Sequence, residues 1–257
     1  MSDGRTFSRR TVGRITAAAA TAGSVLLGGA VGAFSVEDGE DDEPAEAATA
    51  TVDLPPPTTD GDTSVEATLA ARRSRRAYAD EPLSRADIGQ LLWAAQGITE
   101  PHPDAVDFRT APSAGATYPL EVFVVVGTPG VEGAAPGVYY HRRHEHRLER
   151  RREGDFQAAL QAAGLGQEWI GDAAVDLVVT AIDSRTTDRY GRRGRDRYVP
   201  MEAGHVGENV YLQAEARGLA TVAIGAFRDR EVRSVLGVSE EHRPLYVFPV
   251  GNRRGSP

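Results

Sequence analysis

Apolar residues along this chain follow two periods, and the switch between them marks out the elements. Leu120, Val122, Phe123, Val124, Val125 and Val126 form a run broken only by Glu121. A β-branched and aromatic run of that length predicts a strand buried on both faces. Similar runs at 175–182, 220–224 and 245–250 predict three more strands. Residues 137–141 predict another, with 147–152 as its exposed, charged hairpin partner. Helical spacing takes over elsewhere. Ser84 and Asp87 make a capping-box-like start, with Ile88, Leu91, Leu92 and Ala95 on one face and Gly97 as the stop. A long helix is expected over 201–218, and shorter ones at Val65 and Leu69, at Phe156, Leu160 and Leu165, and over 228–236. Trp169 and Ile170 are expected to anchor the core. Residues 184–198 show no apolar period and are expected to form a loop. With no internal repeat and no regular βαβ alternation, the pattern predicts an α+β fold.

Composition divides the 257 residues into three stretches. Residues 1–34 carry the pair Arg9 and Arg10 ahead of an Ala- and Gly-rich, mildly apolar segment, which matches a twin-arginine (Tat) export signal or an N-terminal membrane anchor. Residues 35–64 are acidic and rich in Pro and Thr, as in a disordered linker. Residues 65–257 are expected to form the folded domain. The net charge of −8 belongs to the linker, because 67–257 balance 25 Arg against 25 acids. A neutral domain lacks the positive footprint that nucleic-acid binding needs. No Cys is present, which excludes disulfides, thiolate metal sites and a cysteine nucleophile. All 29 basic residues are Arg, which excludes a Schiff-base lysine.

Three places carry candidate chemistry. Pro112, Ser113, Ala114 and Gly115 have little side-chain bulk, so a flat ligand can lie against their backbone before the strand begins. Arg72, Arg73, Arg75 and Arg76 put four guanidinium forks within five residues, suited to a phosphate or to a solvated basic patch. Gly225, Ala226 and Phe227 follow a strand at a point where a backbone N–H can approach a ligand. His141, His144 and His146 are flanked by Arg that repels cations, so a solvated face is expected there and no metal site. His205 and Asn209 fall at helical spacing within 201–218.

Taken together, RRSRRAY, PSAGATYP, EAGHVGENVYLQAEARGL, IGAF and PVGNRR, in that order over residues 66–254, resemble the nitroreductase superfamily of FMN proteins, and within it the SagB-type azoline dehydrogenases. The resemblance implies a central mixed or antiparallel sheet flanked by helices, with FMN at a homodimer interface. It implies that Arg72, Arg73, Ser74 and Arg76 hold the FMN phosphate and ribityl chain and that Arg253 completes the phosphate site. Pro112, Ser113, Ala114 and Gly115 would pack along the isoalloxazine, commonly from the partner subunit, while Gly225, beside Ala226, presents its N–H to flavin N5. The Lys-Tyr pair tied to proton removal in the SagB-type branch falls on Arg189 and Tyr190. Arginine does not act as a neutral base at ordinary pH, which leaves Tyr190 as the candidate acid. The expectation is an exported FMN-dependent oxidoreductase passing hydride between a donor, with NAD(P)H a candidate, and a small-molecule substrate. Azoline oxidation on a modified peptide and a non-catalytic flavin-binding scaffold stand as alternatives.

Overall fold

A computed structural model describes residues 50–103 and 105–255. The twin-arginine segment and the first part of the acidic linker lie outside the described residues. In chain order the elements are β1 (Ala50–Asp53), α1 (Val65–Ala71), α2 (Arg85–Gln96), β2 (Ile98–Glu100), β3 (Phe108–Arg109), β4 (Leu120–Val126), β5 (Gly137–Arg142), β6 (Arg147–Glu153), α3 (Gln157–Ala163), α4 (Glu168–Gly171), β7 (Val175–Ile182), α5 (Ser184–Tyr190), α6 (Val199–Ala216), β8 (Leu219–Thr221), α7 (Asp229–Leu236) and β9 (His242–Asn252).

Among the described residues seven strands form one sheet in the order β1-β6-β5-β4-β7-β9-β8. Every neighbouring pair in it runs antiparallel. Side chains alternate across a strand, so β4 serves two cores. Leu120, Val122, Val124 and Val126 pack with Ile88, Leu91 and Leu92 of α2 and Val206 and Val210 of α6. Phe123 and Val125 pack on the opposite face with Leu160 of α3, Ile170 of α4 and Val232 of α7. Helices on both faces explain why β4 and β7 read as largely apolar runs instead of alternating ones, broken by Glu121 in the first and by Asp176 and Thr180 in the second. The Ser84 hydroxyl accepts the Asp87 N–H at 3.0 Å to start α2, and Gly237 closes α7 at φ 75°.

Three expectations need correction. Residues 184–198 are not a loop: they form α5 and a π-helical turn, Gly194–Tyr198. Polar anchors hold α5 in place, with Arg185 ion-paired to buried Glu121 and Thr186 Oγ1 2.8 Å from Thr117 Oγ1. The His-Arg hairpin is not a solvated face, because His141, Arg143, Leu148 and Glu149 are all buried. Arg143 turns inward to pair with Glu121, which also accepts the Tyr140 hydroxyl at 2.6 Å. Finally, the linker is not disordered throughout. From residue 50 it pairs as β1 along β6 and tucks Val52 and Leu54 into the core.

Candidate active site

The turn ahead of β4 is tightly built. Ser113 Oγ accepts the Tyr118 N–H at 2.9 Å, and the 3-10 turn Ala114–Ala116 places Gly115 at φ 63°, where a Cβ is strained. A Cβ there would also run into the Tyr190 hydroxyl and come within 2.9 Å of Arg189 Nη1. Arg189 Nη1 donates to the Gly115 carbonyl at 3.3 Å. Tyr190 packs edge-on against Tyr198 at 5.0 Å between ring centroids. The fold thus brings Arg189 and Tyr190 against the turn that holds Pro112, Ser113, Ala114 and Gly115.

Beside that turn lies a cavity of about 250 Å³ lined by Pro112, Ser113, Ala114, Tyr198, Met201, Glu202 and His205. His205 donates from Nδ1 to the Pro112 carbonyl at 3.2 Å, which ties α6 to the turn. Asn209, one turn on, donates to the carbonyls of Ala94 at 3.0 Å and Thr110 at 3.4 Å, holding α2 against α6. Glu202 is only 2% exposed. Burial pushes its carboxyl up to about 7, against the opposing pull of the Ser113 hydroxyl, the Arg109 guanidinium and the Gln96 amide. Arg109 is itself lowered to about 10 by burial and by its neighbour Arg143. It stacks over Tyr118 at 4.2 Å and donates to Gln96 Oε1 at 3.1 Å.

The basic segment sits further along α6. The Arg72 guanidinium lies over the Tyr211 ring at 5.1 Å, and Ser74 Oγ is 2.9 Å from the Tyr211 hydroxyl. That hydroxyl accepts the Ala223 N–H at 2.8 Å, so one tyrosine joins the basic segment to the strip leading to Gly225. Arg76 rests over Trp169 at 5.1 Å. Among the described residues neither the Arg72 nor the Arg76 guanidinium makes a hydrogen bond, so both keep their forks for an anion. Arg73 is turned onto the carbonyls of Ala70 and Arg72. Arg253 joins the cluster from just past the end of β9 but is engaged by Glu215 at 2.6 Å and the Leu219 carbonyl at 2.9 Å. Gly225 is exposed, with nothing within 4 Å of where a Cβ would stand, and the Ala226 carbonyl accepts from Gln167 at 3.0 Å. Tyr211 is nine residues from Glu202, which puts the two ends of the site about 14 Å apart along the helix axis.

Sequence reasoning missed Glu202, Arg109 and Tyr211. A Glu in the first turn of a helix reads as a dipole partner. The available signal was Glu202 standing three residues before His205, which places both on one helix face.

The nitroreductase family model matches residues 69–252. MJ1384 of Methanocaldococcus jannaschii, named as a candidate nitroreductase, is 43% identical over 189 residues, covering 74% of this chain and 91% of that protein. The microcin B17-processing protein McbC of Escherichia coli is 28% identical over 169 residues, covering 64% of this chain and 61% of its own length. The crystal structure of a candidate nitroreductase from Anabaena variabilis superposes with a TM-score of 0.62 at 30% identity, covering 74% of this chain but 38% of that one. The match extends across the basic segment, the small-residue turn, α6 and β9, and the sheet is the one the motifs imply: this chain belongs to the nitroreductase family.

Proposed function

We propose that the protein is an FMN-dependent oxidoreductase working as a homodimer. The observation that carries this reading is the Arg72, Ser74, Tyr211 and Ala223 assembly, which leaves two guanidinium forks and a backbone strip free at the end of α6 remote from the cavity. That donor set suits a phosphate and the hydroxyls of a ribityl chain. A bound flavin supplies hydride transfer at its N5. The chain's own residues then divide the work. Arg72, Arg76 and Ser74 hold the phosphate end, Gly225 leaves room for close approach of a ring, and the 112–115 turn offers a flat wall. Arg253, already paired with Glu215, acts on the anion through the local field more than as a free fork.

The same reading includes export by the twin-arginine route, which accepts a domain already folded around its cofactor. NAD(P)H is a candidate donor on the cytoplasmic side; outside it, a different reductant is required. The experiment is an absorption spectrum of the purified full-length protein, with identification of any cofactor released on denaturation. FMN is expected. Substitution of Arg72 and Arg76 together by Ala should reduce retained flavin at least tenfold, and unchanged flavin content would sink the phosphate assignment.

Azoline oxidation on a modified peptide is the second reading, favoured by the similarity to McbC and by the Tyr190 hydroxyl standing at the turn. A guanidinium is not a neutral base, so Tyr190 is left to handle a proton in that reaction. Turnover of a thiazoline peptide by the wild type that is lost in Tyr190→Phe would select this reading over the first.

A further inference from the structure

Residues 184–198 carry six Arg against two acids, Asp188 and Asp196, within a domain whose charges balance overall. Three of the six are neutralised locally. Arg185 pairs with Glu121, Arg192 with Asp196 at 2.8 Å and Arg195 with Asp183 at 3.3 Å. Arg189 and Arg193 differ: both are exposed, and no carboxylate among the described residues comes within ion-pairing distance of either. Each is instead pinned by a neutral acceptor. Arg189 gives Nη1 to the Gly115 carbonyl at 3.3 Å, and Arg193 gives Nε to the Tyr198 hydroxyl at 2.8 Å. Their guanidinium carbons lie 5.4 Å from the Tyr190 ring centroid and 5.6 Å from that of Tyr198, and those rings meet edge-on at 5.0 Å. A cation held by a carbonyl or a hydroxyl keeps its full charge, whereas one held by a carboxylate is cancelled. Each also keeps a two-donor edge with no partner among the described residues, Nε and Nη2 on Arg189 and Nη1 and Nη2 on Arg193. Both stand at the edge of the cavity, because Tyr198 lines it and Gly115 follows Ala114 of its lining.

We propose that Arg189 and Arg193 form an anion clamp at the mouth of the cavity, holding the carboxylate of a small guest whose apolar remainder lies against Pro112, Ala114 and Met201. A planar carboxylate matches a two-donor guanidinium edge. Phosphate has its own forks, Arg72 and Arg76, towards the far end of α6. Arg189 thereby has a use at a position where it does not serve as a base. The assignment rests on the oxidoreductase reading only in making the guest the substrate or acceptor of that reaction.

The test is protection of arginine from phenylglyoxal, mapped residue by residue by mass spectrometry on the purified full-length protein. Hexanoate is the probe, hexanamide its neutral counterpart and inorganic phosphate the rival oxyanion, all at matched ionic strength. Saturating hexanoate should slow modification of Arg189 and Arg193 roughly tenfold while Arg192 and Arg195 keep their rates. Hexanamide should protect neither. Because a guanidinium stays charged, the half-protecting concentration should be the same at about pH 6 and about pH 8.5. Protection lost at the higher pH would assign the anion to His205 and overturn the clamp. Loss of one fork should be felt by the other. In Arg193→Gln the hexanoate needed to protect Arg189 should rise roughly tenfold or more, and an unchanged requirement overturns the clamp. Equal protection of every exposed arginine is ionic screening, and protection by phosphate where hexanoate gives none puts a phosphate there; either result overturns the carboxylate assignment. If the Gln variant does not fold, the wild-type comparison of hexanoate with hexanamide decides alone. Neither flavin nor turnover enters these readouts, so a flavin-free protein would sink the cofactor reading and leave the clamp to its own test.

Discussion

Gly115 shows how a single residue can let two parts of the site come together by having no side chain. Its φ of 63° and the close approach of Tyr190 and Arg189 both exclude a Cβ. Gly115→Ala should therefore cost about 1–3 kcal/mol in urea unfolding, and it should displace Tyr190, seen as a change in tyrosine fluorescence; an Ala variant as stable as wild type would show that the turn relaxes. Asp176 is a second lone case. It is fully buried, neither carboxylate oxygen reaches a partner among the described residues, and the nearby Gln157 amide donates to the Ala173 carbonyl at 2.6 Å instead. Burial holds its carboxyl well above the usual range. The folded state thus keeps a proton that the unfolded chain releases from about pH 4. Stability then falls as pH rises towards the folded value, by up to about 1.4 kcal/mol per pH unit. Asp176→Asn should match wild type near pH 4 and exceed it at neutral pH. Equal stability of the two proteins at both pH values would mean that Asp176 ionises freely in the fold.

Elements were legible where apolar spacing decides them. The apolar run of β4, the Ser84 cap and Gly97 stop of α2, and the long face of α6 all follow from local sequence, and each appears within two residues of its expected place. Elements held by polar tertiary contacts were not legible. The buried face of α5 offers Arg185 and Thr186, residues that look the same in a solvated loop, and only the fold supplies Glu121 and Thr117 as their partners. Glu121 was visible as the single break in the β4 run, yet nothing local says which cations meet it. Burial would raise its carboxyl, but Arg143 and Arg185 overcome that and hold it at about 2. Its contribution to stability is therefore present above the unfolded value of about 4.3 and is lost as pH falls towards 2. Glu121→Gln removes the buried carboxylate that pairs with both Arg143 and Arg185, which should cost about 3–5 kcal/mol. Because Arg185 anchors α5, amide exchange over Ser184–Tyr190 should quicken more than global unfolding explains. Exchange there that stays in step with the rest of the sheet would show that the Thr186 contact alone positions Arg189 and Tyr190.

At the scale of the whole molecule, α6 is the spine along which the cavity and the basic cluster are spaced. The candidate residues fall into those two groups because the 112–118 turn, α5 and the 72–76 segment all dock on it or its flanking turns. Order beyond those motifs depends on chain that composition assigned to a linker. β1 pairs in register with β6, from Ala50 with Arg150 to Asp53 with Arg147. The Leu54 N–H donates to the His146 carbonyl at 3.2 Å, and Thr58 exchanges hydrogen bonds with the Gln90 side chain at 2.8 and 2.9 Å. Val52 and Leu54 are each 8% exposed. Acidic and Pro-rich composition hides all of this, because the two apolar residues that matter are too few to form a recognisable run. A chain beginning at residue 65, the boundary that composition suggests, would lose β1, uncover the edge of β6 and unseat two core side chains. Compared with a chain beginning at 48, it should be less stable by roughly 3 kcal/mol or more. It should also self-associate, because an open edge strand is a template for pairing. Urea midpoints and light scattering of the two forms check both effects. If the shorter form matched the longer in stability and stayed monodisperse, β1 would be an ornament of the sheet edge; if it fails, the folded domain begins near residue 50, and His141, Glu149 and the hairpin around them owe their burial to chain that lies outside every motif of the family.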